Sequence, residues 1–211
     1  MFLNDRPILV LAPHTDDGEL GCGATISKLT SLGHQVHYVA FCSCDESLPK
    51  EFELGSLRRE LLDATEVLGI PAENVTVHSF TVRKLSYSRQ DILEELVKLN
   101  RTLNPQLVFC PTVDDLHQDH AVVAQEALRA FKTKTVLGYE IPWNNIEFHA
   151  NYLVTVNERD LETKISALRM YTSQKHRPYF SERFLRAHAH SRGVTIGAEY
   201  AEAFTLYRAV Y

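Results

Sequence analysis

Residues 7–12, PILVLA, run directly into residues 13–22, PHTDDGELGC. Five consecutive aliphatic residues after a proline suit a strand buried on both faces of a parallel sheet, where alternation disappears because neither face meets water. The period then changes. Cys22, Ile26 and Leu29 stand at i, i+4 and i+7, Leu32 extends the stripe, and Gly33 occupies the place of a helix terminator. A buried strand feeding an amphipathic helix is the first half of a βαβ unit.

The same unit repeats along the chain. Residues 35–41 read as a second strand. Leu57, Leu61, Ala64 and Leu68 form a helical stripe closed by Gly69 and Pro71, and residues 75–77 form a short strand. Ile92, Leu96, Leu99 and Leu103 mark a helix that stops before Pro105, followed by a buried strand over 107–110. Ala121, Ala124, Leu128 and Phe131 mark the next helix, 135–141 a strand, and Leu161, Ile165 and Leu168 a fifth helix. This alternation predicts an α/β fold with a mostly parallel sheet, covered by helices on both sides through right-handed crossovers. In such sheets ligands bind outside the carboxyl ends of the strands, so the residues just after Ala12 and Cys110 are where a site belongs. One domain over 1–211 is expected, with about 143–211, more polar and aromatic, forming loops or a cap over the site.

Composition narrows the function. The 211 residues are 45% hydrophobic and 23% charged, and 22 basic against 27 acidic side chains leave a net charge of −5. That balance favours a globular protein and speaks against a nucleic-acid or acidic-membrane partner. Asp5 and Arg6 precede only a short apolar stretch, too brief for a signal-peptide core or a membrane span, so a cytoplasmic location is expected. Four cysteines do not make a disulfide framework. Cys42 and Cys44 lack the second pair a structural zinc site needs.

Chemistry concentrates in two clusters, His14-Thr15-Asp16-Asp17 after the first strand and Asp114-Asp115-Leu116-His117-Gln118-Asp119-His120 after the fourth. Adjacent carboxylates on a tight loop repel unless a cation or hydrogen-bond donors compensate, and mixed nitrogen and oxygen donors favour zinc or another transition ion. His14, Asp17 and His120 are the proposed metal ligands, with open positions for water and substrate. Asp16 is then free to act as general base towards a metal-bound water nucleophile, while His117, held protonated by Asp119, stabilises an oxyanion. Each of these aspartates could instead simply cap a helix. Two such clusters at two strand ends favour the metal reading.

PHTDDGELGCGATI, followed about a hundred residues later by DLHQDH, resembles the PIG-L (LmbE-like) family, whose motifs are usually written AHPDDE and HPDH. YEIPWNN at 139–145, KISALRMYTSQ at 164–174 and GAEYAEAF at 197–204 are similar as well. The resemblance implies a Rossmann-like layered α/β fold and zinc-dependent removal of an N-acetyl group, usually from a glucosamine-type sugar within a larger glycoconjugate or precursor. It also implies metal ligands at His14, Asp17 and His120, a base at Asp16, and an electrophilic His117 supported by Asp119. Zn2+ is the expected cofactor, with Fe2+ as the alternative. Thr15 and Gln118 replace prolines of the motifs, and Gly18 stands where an acidic residue often follows, with Glu19 one position later.

Substrate contacts are read from softer signals. Arg58 and Arg59 are candidates for sugar hydroxyls, Trp143 for stacking on a sugar ring, and Arg177 for a phosphate. Lys175, Arg177, Arg183, Arg186 and Arg192 form a basic segment opposed locally by Glu182, for which a solvated helix face or subunit contact is the commoner explanation. His188 and His190 read as surface histidines. The partner is a small N-acetylated sugar, and a homo-oligomer is compatible with the composition. Rival readings are a non-catalytic sugar- or nucleotide-binding module and, against the fold, a two-histidine, one-carboxylate iron oxygenase. A dinucleotide site is weaker because the first turn lacks G-x-G-x-x-G.

Overall fold

A computed structural model describes residues 5–210. Its strands are β1 (Ile8–Ala12), β2 (Val36–Ala40), β3 (Val75–Val77), β4 (Leu107–Pro111), β5 (Thr135–Tyr139), β6 (Tyr152–Val156) and β7 (Tyr200–Arg208). Its helices are α1 (Asp17–Ser31), α2 (Ser56–Val67), α3 (Arg89–Leu103), α4 (Gln118–Ala130), α5 (Glu158–Arg169) and α6 (Glu182–Val194). The seven strands form one sheet in the order β3-β2-β1-β4-β5-β7-β6. β1 to β5 are parallel, whereas β7 runs antiparallel to both β5 and β6. α1, α2 and α5 pack together, and α3 packs with α4 on the other face.

The aliphatic strand β1 lies at the centre, and every one of its residues is buried. Chain order explains the site's location. From β1 the sheet grows through β2 and β3 in one direction and through β4 and β5 in the other, so β1 and β4 flank the switch point where α/β sheets open a crevice at their carboxyl ends. The loops after these two strands must therefore meet, although about a hundred residues separate them.

Helix ends follow their terminators. Gly33 and Gly69 adopt left-handed φ of 85° and 80° just past α1 and α2, a conformation that glycine takes without steric cost. The stripe on α1 ends sooner than the spacing predicts, since Leu32 is 65% exposed beyond the helix. Residues after 141 supply two strands that the sequence pattern did not show. β6 is a half-exposed edge strand and lacks a continuous buried run, while β7 carries the buried Glu202 in its interior.

Glu202 repairs a break in α1. At Cys22 the helix is interrupted by a residue with φ −145° and ψ 23°. The backbone N–H groups of Ala24 and Thr25 donate to the Glu202 carboxylate at 3.2 and 2.7 Å. Lys164 of α5 donates from Nζ to the Leu20 carbonyl at 2.7 Å and to Glu202 at 2.6 Å. A buried ion pair thus satisfies the donors and acceptor that the kink releases.

Candidate metal and catalytic centre

His14 to Asp16 form the turn leaving β1, and Asp17 opens α1. The His14 backbone N–H donates to Asp17 Oδ2 at 2.8 Å, folding the carboxylate back over the turn. On the other loop, the His117 N–H donates to Asp115 Oδ1 at 2.8 Å, and His120 projects from the first turn of α4. Three donor atoms converge as a result. His14 Nδ1 lies 3.1 Å from Asp17 Oδ2, His120 Nε2 lies 3.2 Å from the same oxygen, and the two nitrogens are 3.2 Å apart.

That triangle fits a tetrahedral ion. Ligands at zinc-like distances stand ~3.3 Å from one another. The opposite nitrogens are also held as metal-binding imidazoles require. His14 Nε2 meets Asp119 Oδ2 at 3.0 Å, and His120 Nδ1 meets Asp115 Oδ2 at 2.7 Å. His14, His117 and His120 form a second candidate trio, with ligating atoms within 4.8 Å of one another. The set containing Asp17 is tighter, and His117 Nδ1 is already engaged, accepting the Asp119 backbone N–H at 3.2 Å.

Electrostatics agree with a cation-seeking cluster. Burial alone would depress the imidazoles, but Asp17 and Asp119 raise His14 to about 10, and Asp17 and Asp115 raise His120 to about 9. Burial opposes ionisation of Asp17 too, yet the two imidazoles hold it far below the usual carboxylate range. Imidazoles that favour a proton so strongly beside a carboxylate are groups from which a divalent ion would displace protons on binding. Asp16 differs from its neighbour. Burial, then the charge of Asp17, raises it to about 6 against the pull of His14 and Arg177. It begins α1 without a side-chain capping bond, so capping does not account for it.

His117 and Asp119 are arranged differently from the sequence reading. The Asp119 carboxylate is turned away from His117, accepting from the Arg83 N–H at 2.5 Å, the Leu85 N–H at 3.1 Å and His14. Burial, with His120 and His14 nearby, lowers the His117 pKa, which favours the neutral ring at neutral pH. With Nδ1 accepting a backbone N–H, its proton sits on Nε2.

A cavity of about 370 Å3 covers the centre, lined among others by Asp16, His117, Arg83, Trp143, Arg177 and Tyr179. Trp143 reaches it while stacked on Tyr179, with ring centroids 3.7 Å apart. Arg177 donates to Gln174 Oε1 and to the Tyr179 hydroxyl, each at 2.6 Å. Arg58 and Arg59 do not line this cavity. On α2 the buried face carries Leu57, Glu60, Leu61 and Ala64, which places both arginines on the exposed side, where Arg59 bonds Ser56. Two further arginines of the basic segment, Arg186 and Arg192, are paired with acids, most of them distant in sequence. Arg186 pairs with Glu158, Glu162 and Glu182, while Arg192 and His188 share Glu140.

Several contributors escaped the sequence reading. Asp115 sat within a quoted cluster without a role, because nothing in the spacing says that it faces the far nitrogen of His120. Glu19 lies buried between the Tyr38 and Tyr171 hydroxyls, which also reach the Thr15 carbonyl beneath the metal loop. Burial raises Glu19 to about 8. The four cysteines are free and buried, with Cys44 in the cavity wall.

Comparison with known proteins identifies the class. Residues 9–131 match the model of the PIG-L family, described as GlcNAc-PI de-N-acetylase, and the chain belongs to that family of deacetylases. An uncharacterised deacetylase, YaiS, of Escherichia coli K12 is 27% identical, covering 80% of this chain and 91% of that protein. The diacetylchitobiose deacetylase of Thermococcus kodakarensis is also 27% identical, covering 95% of this chain and 83% of the relative. Among solved structures, the N,N'-diacetylchitobiose deacetylase of Pyrococcus horikoshii, in complex with an inhibitor, superposes with a TM-score of 0.79 at 25% identity, covering 97% of this chain and 86% of that one.

Proposed function

We propose that the protein is a zinc-dependent hydrolase that removes the acetyl group from an N-acetylated amino sugar of glucosamine type. The observation carrying this reading is the donor triangle of His14, Asp17 and His120, with Asp16 and His117 lining the cavity beside it. Family membership and the sugar deacetylases among its relatives support the same class. Two imidazoles and one carboxylate suit zinc, with Fe2+ as the alternative ion.

A divalent ion held by these three residues would polarise an acyl oxygen and acidify water at neutral pH. Asp16 faces the same space without ligating, and its raised pKa suits a base that takes a proton from the attacking water. His117 lines the same cavity, and its Nε2–H would donate to the acyl oxygen as negative charge develops. Asp16, once protonated, returns the proton to the departing amine. Asp119 and Asp115 hold the two ligating imidazoles in orientation throughout.

The decisive assay measures acetate release by the zinc-loaded protein from N-acetylglucosamine, free and glycosidically linked. Activity should vanish with a chelator and return with zinc. Acetate release that persists after complete demetallation would rule this reading out.

A further inference from the structure

We propose that Cys42 and Cys44 are a redox modification site, closed to a disulfide by a peroxide, and that closure reshapes the cavity wall and slows turnover. The effect on turnover rests on the deacetylase reading above, whereas the disulfide does not. The two sulfurs lie 3.2 Å apart. Cys44 lines the cavity together with Ser47, and Cys42, only 1% exposed, lies one layer further in. A pair of thiols in contact at the wall of an open cavity is a different object from the isolated Cys22 and Cys110, which are fully enclosed in the core.

The backbone brings the sulfurs together. Phe41 donates its N–H to the Ala12 carbonyl at 3.0 Å, so the chain leaves β2 beside the turn that carries His14. Cys44 then takes a left-handed φ of 58°, which costs a non-glycine residue on the order of 1 kcal/mol. In that conformation its own N–H donates back to Cys42 Sγ at 3.0 Å. Asp45 fixes the next step of the loop, accepting from Ser43 Oγ at 3.1 Å and from the Gly55 N–H at 2.9 Å. A disulfide requires about 2.05 Å between sulfurs, so closure draws them together by roughly 1 Å. Cys44 carries that movement into the cavity wall.

Cys42 is the sulfur that reacts first. Its Sγ accepts from both the thiol and the N–H of Cys44, and these bonds, the thiol's foremost, lower its pKa, while the same contact raises that of Cys44. The Cys42 thiolate attacks one oxygen of hydrogen peroxide; the O–O bond breaks, leaving a sulfenic acid on Cys42 and a hydroxide, which regains the proton that Cys42 lost on ionising. Cys44 sulfur then gives up its proton and attacks Cys42 sulfur, forming the S–S bond and expelling the hydroxyl as a second water. Two electrons pass from the sulfurs to the peroxide. Burial raises the Cys22 thiol, and it raises Cys110 to about 12, so neither supplies a competing thiolate.

Peptide mapping tests the site. Zinc-loaded, fully reduced protein is treated with a small molar excess of hydrogen peroxide, denatured, blocked with N-ethylmaleimide and digested with trypsin. Cleavage after Lys28 and Lys50 releases Cys42 and Cys44 in one peptide that contains neither of the other cysteines. That peptide should be unblocked and lighter than the dithiol by two hydrogen atoms, with Cys22 and Cys110 blocked, and tris(2-carboxyethyl)phosphine should restore the doubly blocked form. Acetate release from N-acetylglucosamine should fall roughly tenfold in the same sample and recover on reduction, since a shift of about 1 Å beside reacting groups is costly. C42S should keep its rate through the treatment. Both cysteines blocked after peroxide, a sulfinic acid in place of the disulfide, or equal oxidation of Cys22 and Cys110 overturns the proposal, as does a mapped disulfide with an undiminished rate. If no form of the protein releases acetate from any N-acetylated amino sugar, the deacetylase reading fails while the mapped disulfide still supports the site.

Discussion

Asp16 and Asp17 are neighbours in the chain with opposite environments, and that difference divides their chemistry. Asp17 accepts from two imidazoles and stays ionised, whereas Asp16 is pushed up to about 6 by burial and by Asp17 itself. D16N should therefore keep its zinc but lose turnover by roughly 10^2–10^4-fold, a range typical of a lost general base, as kcat and metal analysis on the same sample would reveal. Asp115 acts one step further out. D115N removes the acceptor on His120 Nδ1 and should weaken zinc affinity by about 10–100-fold, measured by competition with a chelator. Glu140 illustrates a titration remote from the metal. Burial pushes its pKa up, but His188 and Arg192 pull it below the usual glutamate value of 4.5. A depressed folded-state pKa stabilises the fold above the unfolded value and loses that contribution as pH falls through the folded one. The stability difference between wild type and E140Q should accordingly be full at neutral pH and fade below about pH 4.5 in denaturant titrations.

Helix α1 depends on glycines that its amphipathic stripe does not reveal. A side chain at Gly21 would collide with the Tyr139 ring on β5, and one at Gly18 with the Tyr38 ring on β2. G21A should cost about 1–3 kcal/mol, read from the urea midpoint, because α1 cannot back away without displacing Asp17 at its first turn. The stripe on α2 and the runs of β1 and β4 match the observed burial closely. These elements were readable because one physical cause, continuous burial, leaves a simple period in the sequence. β6 and β7 were not, since an edge strand open to water and a strand carrying a buried glutamate have no such period. α6 escaped for a related reason: its polar residues are neutralised by acids from α5 and the loop after β5, contacts that no local window contains.

The whole molecule is tied together by the ion pair between Lys164 on α5 and Glu202 on β7, which closes the kink in α1. Both side chains are only 6% exposed. K164M leaves Glu202 in the interior without its ion-pair partner, and should cost ~3–5 kcal/mol of unfolding free energy. K164M/E202Q should recover part of that loss in the same chemical denaturation experiment, because the uncompensated charge is gone. Period and composition were enough to imply the parallel α/β scaffold, and two histidine-aspartate clusters were enough to imply a metal, since hydrophobic spacing and ligand chemistry are local properties of the chain. Which oxygen or nitrogen each carboxylate meets was settled by folding alone. Asp119 turns to His14 instead of His117, Arg58 and Arg59 face solvent, and Arg83 arrives at the cavity, because the switch between β1 and β4 and the packing of α2 and α4 bring together atoms whose separation along the chain carries no record of their distance in space.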